Sequence, residues 1–211
     1  MHFKIIKKDT KTRARIAEIT LNGRKIETPI FMPVATSAAI KGLHGKDLVD
    51  ASDPQIILAN TYHLYLRPGH DIIKNSGGIH NFMSWDRNVL TDSGGYQVYS
   101  LSDNRKIEED GVKFKSHIDG SYHFFSPEKA IQIQKSIGAD IIMAFDECTP
   151  YPCDKNYARK SMNLTHRWLQ RCIKEFKYGE NNNLREQFLF PIVQGSVCLL
   201  YTSDAADDMQ C

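Results

Sequence analysis

The segment NVLTDSGGYQ, from Asn88 to Gln97, carries the reading on which the fold turns. Asn88 to Thr91 is a short run without polar alternation, as a strand covered on both faces requires, and Asp92-Ser93-Gly94-Gly95 breaks it at once into a turn. Four other runs have the same form: PIFMPV (Pro29 to Val34), QIILA (Gln55 to Ala59), IIMAF (Ile141 to Phe145) and FLFPIV (Phe188 to Val193). Each ends in small or hydrogen-bonding residues, respectively Ala35-Thr36-Ser37, Asn60-Thr61-Tyr62-His63, Asp146-Glu147-Cys148 and Gln194-Gly195-Ser196. Helical segments separate the runs, which predicts an α/β domain with a parallel sheet. In a parallel barrel those polar strand ends converge on one rim. A doubly wound open sheet fits the same alternation.

The segments between the runs have legible ends. Ser126-Pro127-Glu128 supplies a cap, a first-turn proline and an acid suited to the helix dipole, and Gly138 closes a helix whose apolar positions are Ala130, Ile131, Ile133 and Ile137. A second helix is predicted over Asn156 to Lys177. Ala158, Met162, Thr165, Leu169, Cys172 and Phe176 form its stripe, widened by Trp168 and Ile173. Lys113 to Phe125, centred on Asp119-Gly120, reads as an inserted β-hairpin, and Trp85 as a core aromatic. The first 25 or so residues alternate around Ile5, Ile16, Ile19 and Leu21 with a turn at Asn22-Gly23, which predicts a small antiparallel sheet. Asn181 to Asn183 reads as a surface loop.

Among 211 residues, 41% are hydrophobic and 25% charged, which excludes a disordered tail, a coiled coil and a collagen-like rod. No apolar run reaches the ~20 residues of a membrane span. The start, MHFKIIKKDTKTR, lacks a signal-peptide core, so the expectation is a cytoplasmic protein with no membrane partner. A net charge of +2 argues for no charged partner by itself.

The residues CLLYTSDAADDMQC, 198–211, do not continue the pattern before them. They resemble the in-frame translation of a sequencing-library adapter, so 1–197 is expected to be native sequence and 198–211 adapter read-through. Asp204, Asp207 and Asp208 lie in that tail and no base does, which leaves the rest at +5. Cys148, Cys153 and Cys172 remain, and with no export signal they read as reduced thiols. Cys148 and Cys153 have zinc-ligand spacing but no second pair, so pocket or core positions are the better reading.

Asp92 heads TDSGG directly after a strand. Gly94 and Gly95 allow close backbone approach to a flat ligand, and Tyr96 offers a ring to stack on it. Asp146 and Glu147 are adjacent acids at a strand end, and successive side chains of an extended segment point opposite ways. One is therefore expected at the rim and the other against a neighbouring strand or a basic partner. Two aspartates and Gln194 at three strand ends complement a purine edge, because carboxylates accept from guanine N1–H and NH₂ and an amide donates to O6. Each residue also has a plain alternative: Asp92 and Gln194 as turn caps, and either acid of the pair as a salt bridge. His63 and His70 read as solvent-facing or capping. Arg105, Lys106, Lys113 and Lys115 read as a solvated basic face that could meet phosphates if the substrate were RNA.

LTDSGGYQVYSL (Leu90 to Leu101), RKIEEDGVKFKSHIDGS (Arg105 to Ser121), IIMAFDECTPYP (Ile141 to Pro152) and PIVQGS (Pro191 to Ser196) resemble the bacterial tRNA-guanine transglycosylases, the queuine tRNA-ribosyltransferase family. FMPV (Phe31 to Val34) and LANTYHLYLRPG (Leu58 to Gly69) match as well, so the resemblance covers the chain to about Val197. It implies a (β/α)₈ TIM barrel with an N-terminal antiparallel sheet, of which about the first five barrel strands are present here. It also implies exchange of the wobble guanine in tRNAs for Asp, Asn, His and Tyr for 7-aminomethyl-7-deazaguanine, by double displacement at the ribose. On the matching motifs, Asp92 is similar to the family's general acid/base. Asp146 and Gln194 look like its base-recognition residues, Tyr96 its stacking residue, and Ser93, Gly94, Gly95 and Cys148 its pocket lining. The resemblance further implies a homodimer and a zinc site. The family's nucleophilic aspartate and its zinc ligands have no counterpart in this sequence, so no metal ligand is assigned and the chain by itself is expected to be inactive. Two other readings stay open: a barrel glycosidase pairing Asp92 with Asp146, and a non-catalytic tRNA-binding paralogue.

Overall fold

The computed structural model describes residues 1–101, 105–180 and 185–196. The asparagine loop at Asn181 to Asn183 and the tail at 198–211 lie outside the described residues.

Strands β1 (His2–Lys8), β2 (Arg15–Leu21) and β3 (Arg24–Thr28) form an antiparallel sheet in chain order. Its β2–β3 turn uses Asn22 and Gly23 at φ 49° and 78°, the pair of left-handed residues that a two-residue hairpin needs. Ala17, Leu21 and Ile26 are buried and Ile19 half-buried. Ile5 and Ile16, expected to share that face, are exposed instead. Ile16 is one residue out of phase with Ala17, Ile19 and Leu21, and β1 is an outer strand exposed along its whole length.

Helix α1 (Gly45–Ser52) leads to β4 (Ile56–Ala59), and three short helices follow: α2 (Thr61–Leu66), α3 (His70–Asn75) and α4 (Ile79–Met83). Then come β5 (Asn88–Thr91), α5 (Gly95–Leu101), and an inserted antiparallel sheet of β6 (Lys106–Glu108), β7 (Gly111–Lys115) and β8 (Tyr122–Phe125). Helix α6 (Pro127–Ile137), β9 (Ile141–Met143), α7 (Lys155–Tyr178) and β10 (Phe188–Phe190) complete the described chain. The expected hairpin is present, with a left-handed Gly120 at its turn, and β6 adds a third strand that the sequence reading did not include.

Strands β4, β5, β9 and β10 form one parallel sheet whose spatial order follows the chain. Val34 adds a single parallel bridge to Leu58 outside β4. The order therefore contains no reversal, the feature of a doubly wound sheet. The expected strand PIFMPV is reduced to that one bridge. Pro29 and Pro33 have no N–H for a ladder, and Phe31 is 81% exposed. Strand β10 is half-buried throughout rather than covered on both faces, because it is the edge strand of this sheet.

Alternate strand residues feed two separate cores, as period-2 geometry requires. Ile57, Ala59, Val89 and Ile142 pack towards the helices with Ile131, Ile133, Trp168 and Leu169. Ile56, Leu90 and Ile141 pack with Leu21 and Ile26 of the N-terminal sheet, which thus covers the opposite face. Ser126 caps α6 by accepting from Lys129 N, and Gly138 ends it in the left-handed conformation. Asp154 caps α7 by accepting from Asn156 N and Tyr157 N, and Ala158, Met162, Thr165, Trp168, Leu169 and Cys172 form its buried stripe. Gln134 is fully buried on α6. Its Oε1 accepts from Thr91 Oγ1 and Met143 N, and its Nε2 donates to Met143 O, so it ties the ends of β5 and β9 together.

Candidate functional site

Asp92 leaves β5 with its N–H donating to Ala59 O at 3.2 Å. Its Oδ1 accepts from Thr61 N (2.9 Å) and Gly94 N (3.2 Å), and its Oδ2 from the Asn60 amide (2.5 Å). Gln97 adds a side-chain hydrogen bond. Burial nevertheless raises the carboxyl above the usual aspartate range, against the pull of these donors.

Asp146, only 7% exposed, sits at the neighbouring strand end. Its Oδ1 accepts from Ser93 Oγ at 2.8 Å and its Oδ2 from Gln194 Nε2 at 2.6 Å, so the ends of β5, β9 and β10 meet on one carboxylate. Burial raises this carboxyl as well, and the nearby charge of Asp92 pushes in the same direction. No cation contacts either acid among their described partners, which is why burial prevails at both.

The two glycines of TDSGG have separate reasons. Gly94 holds φ 81°, a left-handed conformation strained for other residues. A Cβ on Gly95 would stand 2.7 Å from the Asp146 carbonyl oxygen. The absent side chain at Gly95 thus lets the turn pack against the Asp146 backbone. Ser93 Oγ accepts from Gly95 N (3.1 Å) while donating to Asp146, locking the turn to the acid. Tyr96 is 60% exposed and its ring is open to a stacking partner. Cys148 is half-buried beside Gly95, Tyr99 and Asp146, and burial followed by the Asp146 charge pushes its thiol up.

Glu147 turns the other way, as expected of adjacent residues, but its partner is a phenol rather than a base: Tyr157 Oη donates to Glu147 Oε1 at 2.6 Å. A cavity of about 390 Å³ between β6 and α7 is lined by Glu147, Tyr157 and Arg167 and does not include Asp92 or Asp146. The structure brings together Asp92, Ser93, Gly94, Gly95, Asp146 and Gln194. It adds Asn60, Thr61 and Gln97, which the sequence reading left without roles. The signal for Asn60 was its place at a strand end; nothing local marked Gln97.

The remaining expectations divide. Trp85 is buried, as expected of a core aromatic. His63 and His70 are half-buried rather than solvent-facing, and burial lowers both imidazoles. They pack against rings, His63 on Tyr62 and His117, His70 on Tyr65, because α2 lies under the inserted sheet. Of the basic residues, Lys106 pairs with Glu108, Arg105 stacks 4.2 Å over the Tyr99 ring and Lys113 lies over Tyr122. Among the described residues no three His, Cys, Asp or Glu side chains converge on a metal-sized site, so the zinc implied by the resemblance has no fit there. No helix among them is long and apolar enough to cross a membrane.

Comparison with known proteins agrees with these motifs. The family model described as queuine tRNA-ribosyltransferase matches residues 9–210. Queuine tRNA-ribosyltransferase of Caldanaerobacter subterraneus subsp. tengcongensis is 56% identical over 193 residues, 92% of this chain and 50% of that protein. Those of Thermoanaerobacter sp. (strain X514) and Acetivibrio thermocellus are 54% and 53% identical, over 92% and 93% of this chain and 50% and 51% of their own length. The chain thus spans about half the length of the curated relatives it matches.

Proposed function

Since the chain belongs to the queuine tRNA-ribosyltransferase family, we propose that its strand-end cluster is the guanine-handling part of a tRNA base-exchange site. The observation that carries this reading is the meeting of Asp92, Asp146 and Gln194 at adjacent strand ends beside an exposed tyrosine. Gln194 Nε2 spends one hydrogen on Asp146 and has a second for guanine O6, while Asp146 keeps lone pairs for N1–H and the exocyclic amine. Amide and carboxylate then read the edge in register, with Tyr96 covering a ring face and Ser93, Gly94, Gly95 and Cys148 lining the pocket.

Asp92 is the proton carrier in this reading. A carboxyl held above its ordinary range by burial is suited to give a proton to a departing base and take one from an entering base. The carboxylate that attacks the ribose is assigned to the half of the relatives' length that this chain does not span. The same assignment covers the zinc ligands, the strands that would close the parallel sheet into a (β/α)₈ barrel, and the homodimer contacts. The wobble guanine of tRNAs for Asp, Asn, His and Tyr is the proposed target, and 7-aminomethyl-7-deazaguanine the entering base.

The test is exchange of labelled guanine into tRNA by the protein at its relatives' full length. Asp92→Asn is expected to slow exchange by roughly 10²–10⁴-fold. Unchanged turnover in that variant, or a covalent RNA adduct trapped on Asp92 itself, would remove the assignment.

A further inference from the structure

We propose that Glu147 is a positioning residue for guanine recognition, acting through the backbone it shares with Asp146 and braced by Tyr157. The inference rests on the guanine-site reading above and adds a residue that faces away from that site.

Beyond Ala144, which still bonds to β10, the β9 exit leaves the ladder among the described residues, and its backbone groups are held one by one. Ala144 N donates to Phe190 O (2.9 Å), Phe145 N to Cys172 Sγ (3.3 Å) and Glu147 N to Thr165 Oγ1 (3.1 Å). Ser161 Oγ reaches Glu147 O at 3.4 Å. The Glu147 carboxylate accepts from Tyr157 Oη at 2.6 Å, and burial followed by this acceptor raises the phenol well above its ordinary range. Four residues of α7 therefore grip the exit on the side opposite the ligand.

That grip matters because the other side is built to tight clearance. The missing Cβ of Gly95 marks a 2.7 Å approach to Asp146 O, and Asp146 must meet Ser93 and Gln194 at once. A carboxylate that reads two donors of a flat base loses both if its backbone turns by a small angle. Glu147 is only 7% exposed, so a side chain there without a partner would pull the exit towards solvent. Its bond to Tyr157 prevents this, since a charge-assisted hydrogen bond is about twice as strong as a neutral one.

The test uses the protein at its relatives' full length, with separate KM values for guanine and for tRNA, kcat and a thermal melt. Glu147→Ala is expected to raise the guanine KM about tenfold, with kcat at saturating guanine and the tRNA KM each held within about twofold of the parent. Glu147→Gln keeps an oxygen for the Tyr157 hydroxyl and is expected to rescue the guanine KM to within about threefold of the parent. Tyr157→Phe, at a half-exposed position that tolerates the change, is expected to raise the guanine KM severalfold and serves if Glu147→Ala does not fold. A loss of stability or of kcat with the guanine KM unmoved in Tyr157→Phe would show a merely structural role and overturn the proposal. Asp146→Asn is the control for the underlying reading. If that variant leaves the guanine KM unchanged, the guanine site itself is misassigned; if only the Glu147 and Tyr157 variants do, the positioning role alone fails.

Discussion

Strand β9 has a buried aspartate just before it and another just after it, and the two are opposite in character. Asp140, at the N-terminal end, is fully buried and saturated with donors: His80 Nε2 (2.9 Å), Val89 N (2.8 Å), Asn22 Nδ2 (2.8 Å) and Arg185 Nη1 (3.0 Å). Burial works to raise its carboxyl, but the His80 hydrogen bond and charge, with the Val89 and Asn22 donors, outweigh it and bring it down to about 2. Asp146, at the C-terminal end, has a hydroxyl and an amide for partners, and burial wins. The N-terminal end is a clasp joining the first sheet, α4, β5 and the approach to β10. The C-terminal end holds an acid in reserve. In a closed parallel barrel, the architecture proposed above for the full-length protein, the first position serves stability and the second chemistry.

The strongest way to break this contrast is Asp140→Ala. It leaves His80 and Arg185 facing an empty buried site and is expected to cost about 3–5 kcal/mol by chemical denaturation, while the folded fraction keeps its guanine KM. Asp146→Asn should do the reverse. It turns an amide donor towards N1–H or NH₂, and leaving such a group unpaired costs about 1–3 kcal/mol, read as a guanine KM raised roughly ten- to hundredfold. Its denaturation midpoint is expected to fall less than that of Asp140→Ala, because it leaves no buried cation without its partner.

Acid should separate the two ends by sign. Asp140 is depressed in the folded state, so its contribution of about 2 kcal/mol is present above its unfolded value near 3.8 and is lost as pH falls towards about 2. Asp146 is raised, so its contribution is present below the unfolded value and lost as pH rises through the folded one. Denaturation of the parent and of Asp140→Asn between pH 5 and pH 2 checks this; parallel curves would mean that Asp140 is not the acid-labile clasp. Asn22→Ala removes two hydrogen bonds, to Asp140 Oδ1 and to Glu186 O, and sets alanine at a left-handed φ of 49°; it is expected to cost about 2 kcal/mol, with no change in exchange kinetics.

Much of the candidate site was legible because strand ends are local events. Asp92, Asp146 and Gln194 each stand where an apolar run stops, and the parallel order brings those stops together. The Asp140 clasp was not legible. Asn22 and Glu147 lay in view as a turn residue and one of an acid pair, but their partners stand 118 and 10 positions away, and no periodicity links them. Gln134 was passed over for the same reason, as a polar residue between apolar helix positions that proves fully buried.

By itself the sequence determined the alternation of strand and helix, the Asn22-Gly23 turn, the capped ends of α6 and the opposite facing of Asp146 and Glu147. These follow from the side-chain period and from residues that tolerate only certain backbone angles. Tertiary structure alone decided that PIFMPV keeps one bridge, that Ile5 and Ile16 face outward, and that Gly95 yields space to the Asp146 backbone. It alone decided which buried acid is pulled down and which is pushed up. The reason is that a carboxylate's proton affinity depends on the donors packed around it, and those arrive from strands and helices far apart in the chain.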